Sequence, residues 1–341
     1  KSIKKLKQFS GEKSSDFFEG YLILTLDSIK KKNFKNSNKY LNELSRFKEN
    51  STFELIIYES IKNYIYLFEK KQTLSNGNTL GNLSLISNAF HSCYLEEKQT
   101  ESHFENLFNS GEFDYSRYIF FYINYLIEQR EFDEAKEVTD QIDILSSSLL
   151  IAQTKNWIDN KEFNKFNQIF SCKNETDILS EFFFLISNIY SSEDEIDKSN
   201  FYLKISNFLN PKFNFNLSLF VENYYNSKNY IKAKKVLNVF DKNDDLYYWY
   251  KIKIKTKIIS QESGKEQAYN FINSKFKKIK KPSVKILYDM ANLVKGFEKH
   301  QTAINYYNEL LTKVNINSNT YAEILFRRGG SYERLKKFNK S

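Results

Sequence analysis

The apolar pattern of residues 180–211 returns 34 residues later, in residues 214–240. The first stretch carries Phe183, Ile186 and Tyr190, then Ile196, Ser199 and Leu203, and stops at Pro211. The second carries Leu217, Phe220 and Tyr224, then Tyr230, Ala233, Leu237 and Phe240. Within each half the apolar residues fall three and four apart, which places them on one face of a helix. Two such helices joined by a few polar residues make a hairpin. Hairpins recurring at a fixed period make an array in which each unit buries its apolar face against its neighbours. The expectation is an all-α chain, a right-handed α-solenoid of antiparallel helix pairs.

The pattern extends along the chain once each hairpin is numbered so that its smallest interhelical residue is position 20. Ala135, Ala233, Ala268 and Ala303 fill that place, with Ser37, Ser199 and Ser341 as near-substitutes. Three residues earlier stands a large side chain: Phe34, Phe132, Phe163, Ile196, Tyr230, His300 and Phe338. Repeats then begin near residues 116, 147, 180, 214, 249, 284 and 322. The first helix carries apolar residues at positions 4, 7 and 11 and the second at 24 and 27. A small residue at position 20 lets two backbones approach where a bulky one would hold them apart. In the hairpin from Val284 these places hold Leu287, Met290, Val294, Ala303, Tyr307 and Leu310. Ala291 is at position 8, and Pro282 stands just ahead of the first helix.

Residues 116–341 therefore read as a regular array. Residues 1–115 read as degenerate helical repeats of the same continuous solenoid. Tyr21, Leu24, Ser28, Phe34, Ser37, Leu41 and Leu44 fit one hairpin, and residues 53–69 read as one long helix. Residues 73–81 read as a polar loop with two glycines, and residues 81–108 as a further hairpin with Thr100 in the small place. The hairpin from Ala322 stops at Ser341, before most of its second helix, so the chain reads as a piece of a longer protein.

Composition agrees with helices joined by short turns. Only 9 glycines and 2 prolines stand in 341 residues, which argues against a many-turned all-β fold. The net charge of +9 raises the question of nucleic acid. Lys outnumbers Arg, the better base and phosphate reader, and Lys, Asn, Ile, Phe and Tyr are all abundant, as a genome poor in G and C produces. Both observations weigh against nucleic acid as the partner. No uncharged apolar run reaches the length of a membrane span; the longest, residues 118–127, includes Asn124.

The sequence offers no chemistry. It has no GxGxxG, no GxxxxGK[ST], no HExxH and no GxSxG. His91 and His103 are 12 apart, on no common ligand spacing, and His300 stands at a turn. Glu193, Asp194 and Glu195 cluster in an interhelical turn, where a solvated role is expected. No catalytic, cofactor or metal residue is expected. Cys93 and Cys172 form no CxxC. A disulfide needs Cα atoms within about 7 Å, which helices two repeats apart seldom provide, so both are expected as buried small hydrophobes.

The segments Phe183-x2-Ile186-Ser187-x2-Tyr190, Leu217-x2-Phe220 with Tyr230-x2-Ala233, and Leu325-x3-Gly329-x2-Tyr332 with Phe338 resemble the tetratricopeptide-repeat family, from about Tyr21 to Ser341. The tail ILFRRGGSYERLKKFNKS is similar to late repeats of long bacterial, especially alphaproteobacterial, members. The chain departs from the family in having no Trp at position 4 and Gly at position 8 only once. The resemblance implies a superhelix whose concave groove is lined by first-helix positions 2, 5, 9, 12 and 13. It also implies a non-enzymatic scaffold for a protein or peptide partner, with no small-molecule substrate. The groove residues it selects are Tyr225, Asn226, Tyr250, Lys253, Lys257, Lys285, Tyr288, Asn292 and Lys295, beside Glu222 and Glu323. Lysines pair carboxylates, asparagines bond peptide groups and rings pack on apolar side chains, a surface suited to an acidic or C-terminal peptide. Asp289 and Glu323 stand where the family's carboxylate clamp for chaperone tails needs Asn and Lys, so that docking role is not expected. Members with an export signal act in the cell envelope or periplasm; without one, the cytoplasm is implied. Two alternatives remain: a repeat region serving a catalytic domain outside this stretch, and a basic surface for RNA or anionic membrane.

Overall fold

The computed structural model describes residues 17–74, 82–109 and 116–340. The expected glycine loop lies outside them from residue 75 onward, as does Ser341. Eighteen α-helices lie among the described residues, joined by turns, and no strand occurs among them. Successive helices pack on one another, as in an α-solenoid. The chain divides into two compact units that interleave in sequence. The first holds the described residues up to Glu131 together with Asn164–Asn216; the second holds Phe132–Phe163 and everything from Leu217 onward.

The first unit contains α1 (Phe18–Lys30), α2 (Phe34–Leu44), α3 (Thr52–Lys70), α4 (Asn82–Leu95), α5 (Thr100–Asn109) and α6 (Ser116–Gln129). To these it adds, from a later stretch, α9 (Asn164–Ile169), α10 (Glu175–Ser192) and α11 (Ile196–Leu209). Besides neighbour-on-neighbour packing, α1 touches α10 and α11, and α6 touches α9. The second unit contains α7 (Phe132–Asp140), α8 (Leu149–Asp159), α12 (Leu217–Asn226), α13 (Tyr230–Leu237), α14 (Asp245–Ser263), α15 (Lys265–Phe276), α16 (Val284–Gly296), α17 (His300–Leu311) and α18 (Asn319–Arg334). Here α7 packs on α8 and α8 on α14.

One backbone turn recurs through both units. Lys32, Arg130, Lys161, Asp194, Lys228, Glu298 and Lys336 all have φ between 54° and 69°. Each stands two residues before the large side chain at position 17. The residue after each sends its N–H back to a position-11 carbonyl, as in Asn33 to Ser28, Glu131 to Leu126, Asn229 to Tyr224 and Lys337 to Tyr332. This is the Schellman stop, in which one left-handed residue satisfies carbonyls left open at a helix end. Among the described residues only the α14–α15 turn places glycine in the left-handed region, with Gly264 at φ 95°.

Position 20 is closed to water: Ser37, Thr100, Ala135, Ser199, Ala233, Ala268 and Ala303 are all fully buried, as is Phe166, the bulky exception in the hairpin of Phe163. Ser187, at position 8, shows how near the helices run, because its Oγ lies 2.8 Å from the Ser199 carbonyl and 3.0 Å from Ser199 Oγ. Ala233→Asp is expected to cost about 3 kcal/mol or more, since it buries an unpaired charge in a place without room. Urea unfolding should show a lowered midpoint; one within about 0.5 kcal/mol of wild type would contradict the crossing.

Cys93, on α4, and Cys172, between α9 and α10, form a disulfide with Cα atoms 5.9 Å apart. This corrects the expectation of two unbridged cysteines. The separation of 79 residues includes residues 132–163, which belong to the other unit, so linear spacing overstated the distance. Phe170 packs on Phe90 and Phe121, and Asn124 donates to its carbonyl, which lays the irregular residues before Cys172 against α4 and α6.

Two partly buried groups of the first unit titrate in opposite senses. Burial against Tyr64 holds His91 down at about 4, and its Nε2 has no hydrogen-bond partner. Burial pushes Asp177 up to about 6 although it accepts the Ser171 N–H. The His91 contribution is therefore whole above the unfolded value near 6.5 and is lost as pH falls through about 4. That of Asp177 is whole below the unfolded value near 3.9 and is lost as pH rises through about 6. Between these limits they offset. Relative to wild type, His91→Phe should gain stability on acidification from pH 6.5 to 4.5, and Asp177→Asn should lose it, each by on the order of 2 kcal/mol. Urea midpoints at the two pH values test this; parallel pH profiles for all three proteins would contradict it.

Candidate functional site

The selected groove residues all fall in the second unit, on α12, α14, α16 and their neighbours. Local capping sets where these helices begin. Asp244 Oδ1 accepts the N–H groups of Leu246 and Tyr247 at 3.0 Å each, which starts α14. Its other oxygen accepts from Gln153, tying α8 to that helix start at 2.8 Å. Ser283, just after Pro282, caps α16, and Ser318 caps α18. Beneath them lies an apolar core that includes Trp249, Ile252, Leu287, Met290, Val294, Tyr307 and Ile324.

Tyr250, Lys253, Lys257 and Lys285 come together around one cavity of about 250 Å³, with Glu222, Trp249, Asp289 and Ser147 also in its wall. Asp289 is the hub. Its Oδ2 takes a hydrogen bond from Lys253 at 2.9 Å and one from the Trp249 indole at 3.1 Å; Lys285 lies 3.6 Å from Oδ1. Burial lowers the pKa of Lys285 against the pull of Asp289. Lys257 is exposed at the rim. Two ammonium groups thus share one carboxylate, and a third stands in water beside them.

Tyr288 and Asn292 line a neighbouring cavity of about 490 Å³ with Asp143, Leu145, Glu323 and Arg327. Tyr288 donates to Glu323 at 3.0 Å, Arg327 reaches the same oxygen at 2.7 Å, and Tyr307 donates to Asn292 at 2.6 Å. A third cavity, about 380 Å³, is walled by Ile142, Ile144, Leu246, Val284, Lys285 and Val314. Tyr225, Asn226 and Lys295 line none of these three. Tyr225 packs on the Tyr230 ring at the α12–α13 turn, Asn226 ends α12 in solvent, and Lys295 donates to the Arg327 carbonyl at 3.3 Å.

The sequence reading missed the segment between α7 and α8. Residues 142–148 contribute to the walls of all three cavities. Leu145 is buried in the core of the unit, and its carbonyl accepts the Lys285 ammonium at 2.5 Å. Asp143 folds the segment on itself by accepting the Leu145 N–H at 3.0 Å and the Ser146 hydroxyl at 2.7 Å. The one signal available was the Asp-x-x-Ser turn motif at residues 143–146.

Among the described residues no group of three or more His, Cys, Asp or Glu side chains is placed to hold a metal ion. No helix among them is long and apolar enough to cross a membrane. No protein-family model matches the chain, and no curated protein matches it in sequence.

Proposed function

We propose that this is a tetratricopeptide-like scaffold, its helix pairs antiparallel and its superhelix right-handed, that binds a peptide or protein partner on the face of α12, α14, α16 and α18 and performs no catalysis. The recurring left-handed stop at one register position and the buried small residue at another support the repeat assignment. The observation that carries the binding reading is the gathering of Lys253, Lys257 and Lys285 with Tyr250 about one cavity, where Lys285 already holds a backbone carbonyl. Such a face offers charge-assisted donors to carbonyls and carboxylates and a ring for apolar side chains. A buried disulfide supports an oxidising compartment, in line with a cell-envelope protein.

The test is titration of the full chain against a panel of acidic and neutral peptides by calorimetry. Lys257→Glu is expected to weaken the acidic binders about tenfold and to flatten their salt dependence, as rim charges do. Lys295→Glu, away from the cavities, should leave them unchanged. Equal affinity of wild type and Lys257→Glu for every peptide would overturn the assignment. Lys253→Glu is a poorer probe because it also sets a second carboxylate against Asp289.

A further inference from the structure

We infer that residues 142–148 are a built-in occupant of the groove, and that the partner carries a short turn-forming motif of the same chemistry, an acid two residues before a leucine and a hydroxyl residue after it. This rests on the reading of that face as a peptide groove.

The segment has the features of a ligand. It is non-helical, it contributes to the walls of all three cavities, and it packs apolar side chains there: Leu145 is buried in the core of the unit and Ile144 lies partly buried against it. Its main chain is gripped by a groove residue, through the bond from Lys285 to the Leu145 carbonyl. Its polar groups face outward or are used locally: Asp143 is exposed and braces the turn through the Leu145 N–H and Ser146. A structural turn joining α7 to α8 needs none of the contact with Lys285, which comes from a helix 140 residues away in sequence. A partner with an Asp-x-Leu-Ser turn could make the same contacts once the segment leaves. The resident segment then lowers apparent affinity by the fraction of molecules in which it is docked.

The experiment compares the full-length wild type with Asp143→Ala, which removes the brace without opening a core cavity. The probe is a synthetic peptide spanning residues 140–148, with a control in which its leucine is replaced by aspartate. Binding is read by calorimetry, and hydrogen exchange is followed at the amides of residues 143–146. The expected result is binding by Asp143→Ala at least about tenfold tighter than by wild type. Exchange at those amides should rise in the wild type when peptide is added, and the control peptide should do neither. Equal binding by both proteins would overturn the self-occupancy while leaving the groove. Binding by neither, with the segment's amides already exchanging freely in Asp143→Ala, would remove both. A variant that fails to fold is covered by the wild-type exchange: peptide that binds without releasing residues 143–146 overturns the inference by itself.

Discussion

Arg117→Met is expected to lose about 3–5 kcal/mol of stability, because it strands a carboxylate that water does not reach. Glu181 on α10 is buried, with its side chain 1% exposed. Arg117 answers it with a two-pronged bond, Nε to Oε1 and Nη2 to Oε2, each at 2.7 Å. The same Nη2 reaches Asn216, whose amide donates to Ser206 Oγ, which in turn lies 3.1 Å from Ser180 Oγ. The guanidinium also stacks 3.8 Å over the Phe184 ring. One planar cation thus joins α6, α10, α11 and the 3₁₀ turn Asn214–Asn216. Methionine keeps the stem and its packing and removes the three bonds that Arg117 itself donates, two to Glu181 and one to Asn216. Burial already raises the Glu181 pKa against the pull of Arg117. Without that pull the carboxyl takes up a proton when folded, so the deficit should shrink as pH falls. Arg117→Lys should recover only part, since an ammonium cannot fork. Arg117→Met/Glu181→Met should recover most, since a well-packed apolar pair is often no worse than a buried ion pair. Urea unfolding at pH 7.5 and 5.5 decides it; a deficit below about 1 kcal/mol, or one independent of pH, would place the pair on the surface in energetic terms.

The parts of this architecture that show in the sequence are those that depend on side-chain size at a fixed period. Alanine and serine at position 20 mark most of the crossings because small residues let two backbones approach; the hairpin of Phe163 departs from this with a buried Phe166. The stops two residues before position 17 do not show, although they recur more faithfully. Lysine, arginine, aspartate and glutamate occupy them, and none of these types announces a left-handed backbone as glycine does at Gly264. Lys253 and Lys257 share a helix face by their spacing, and Lys285 joins them because the next first helix follows one repeat, 35 residues, further on. Tyr225 and Asn226 fall away for a local reason: they are the last two residues of α12 and stand at its C-terminal stop, where Lys228 donates to the Tyr225 carbonyl. Leu145 was illegible because a repeat register scores helices and passes over the links between them. The interleaving of the two units is equally silent, since a period says that a hairpin leans on something without saying on which one.

The disulfide follows from that interleaving, and its removal is the other large effect. The bridge between Cys93 and Cys172 closes a loop of 79 residues, and a loop of that length confines the unfolded chain by about 4 kcal/mol. Cys93→Ala/Cys172→Ala should therefore lower the stability of the first unit by about that much. The loop enters the estimate through its logarithm, so the value changes little whether or not the enclosed residues 132–163 retain structure. Both cysteines are 2% exposed. Dithiothreitol should therefore leave the native protein oxidised and reduce it readily in urea, since a buried bridge opens only with its surroundings. The protein contains two tryptophans, Trp157 and Trp249, and both belong to the second unit. Far-UV circular dichroism reports both units and tryptophan fluorescence only the second. A lowered dichroism midpoint with an unchanged fluorescence midpoint assigns the loss to the first unit. Midpoints that coincide and fall together mean that the units unfold as one. If neither moves on removing the bridge, the unfolded chain was not being confined by it, and residues 164–174 hold their place beside α4 through non-covalent contacts such as those of Phe170 and the Lys173–Glu96 ion pair.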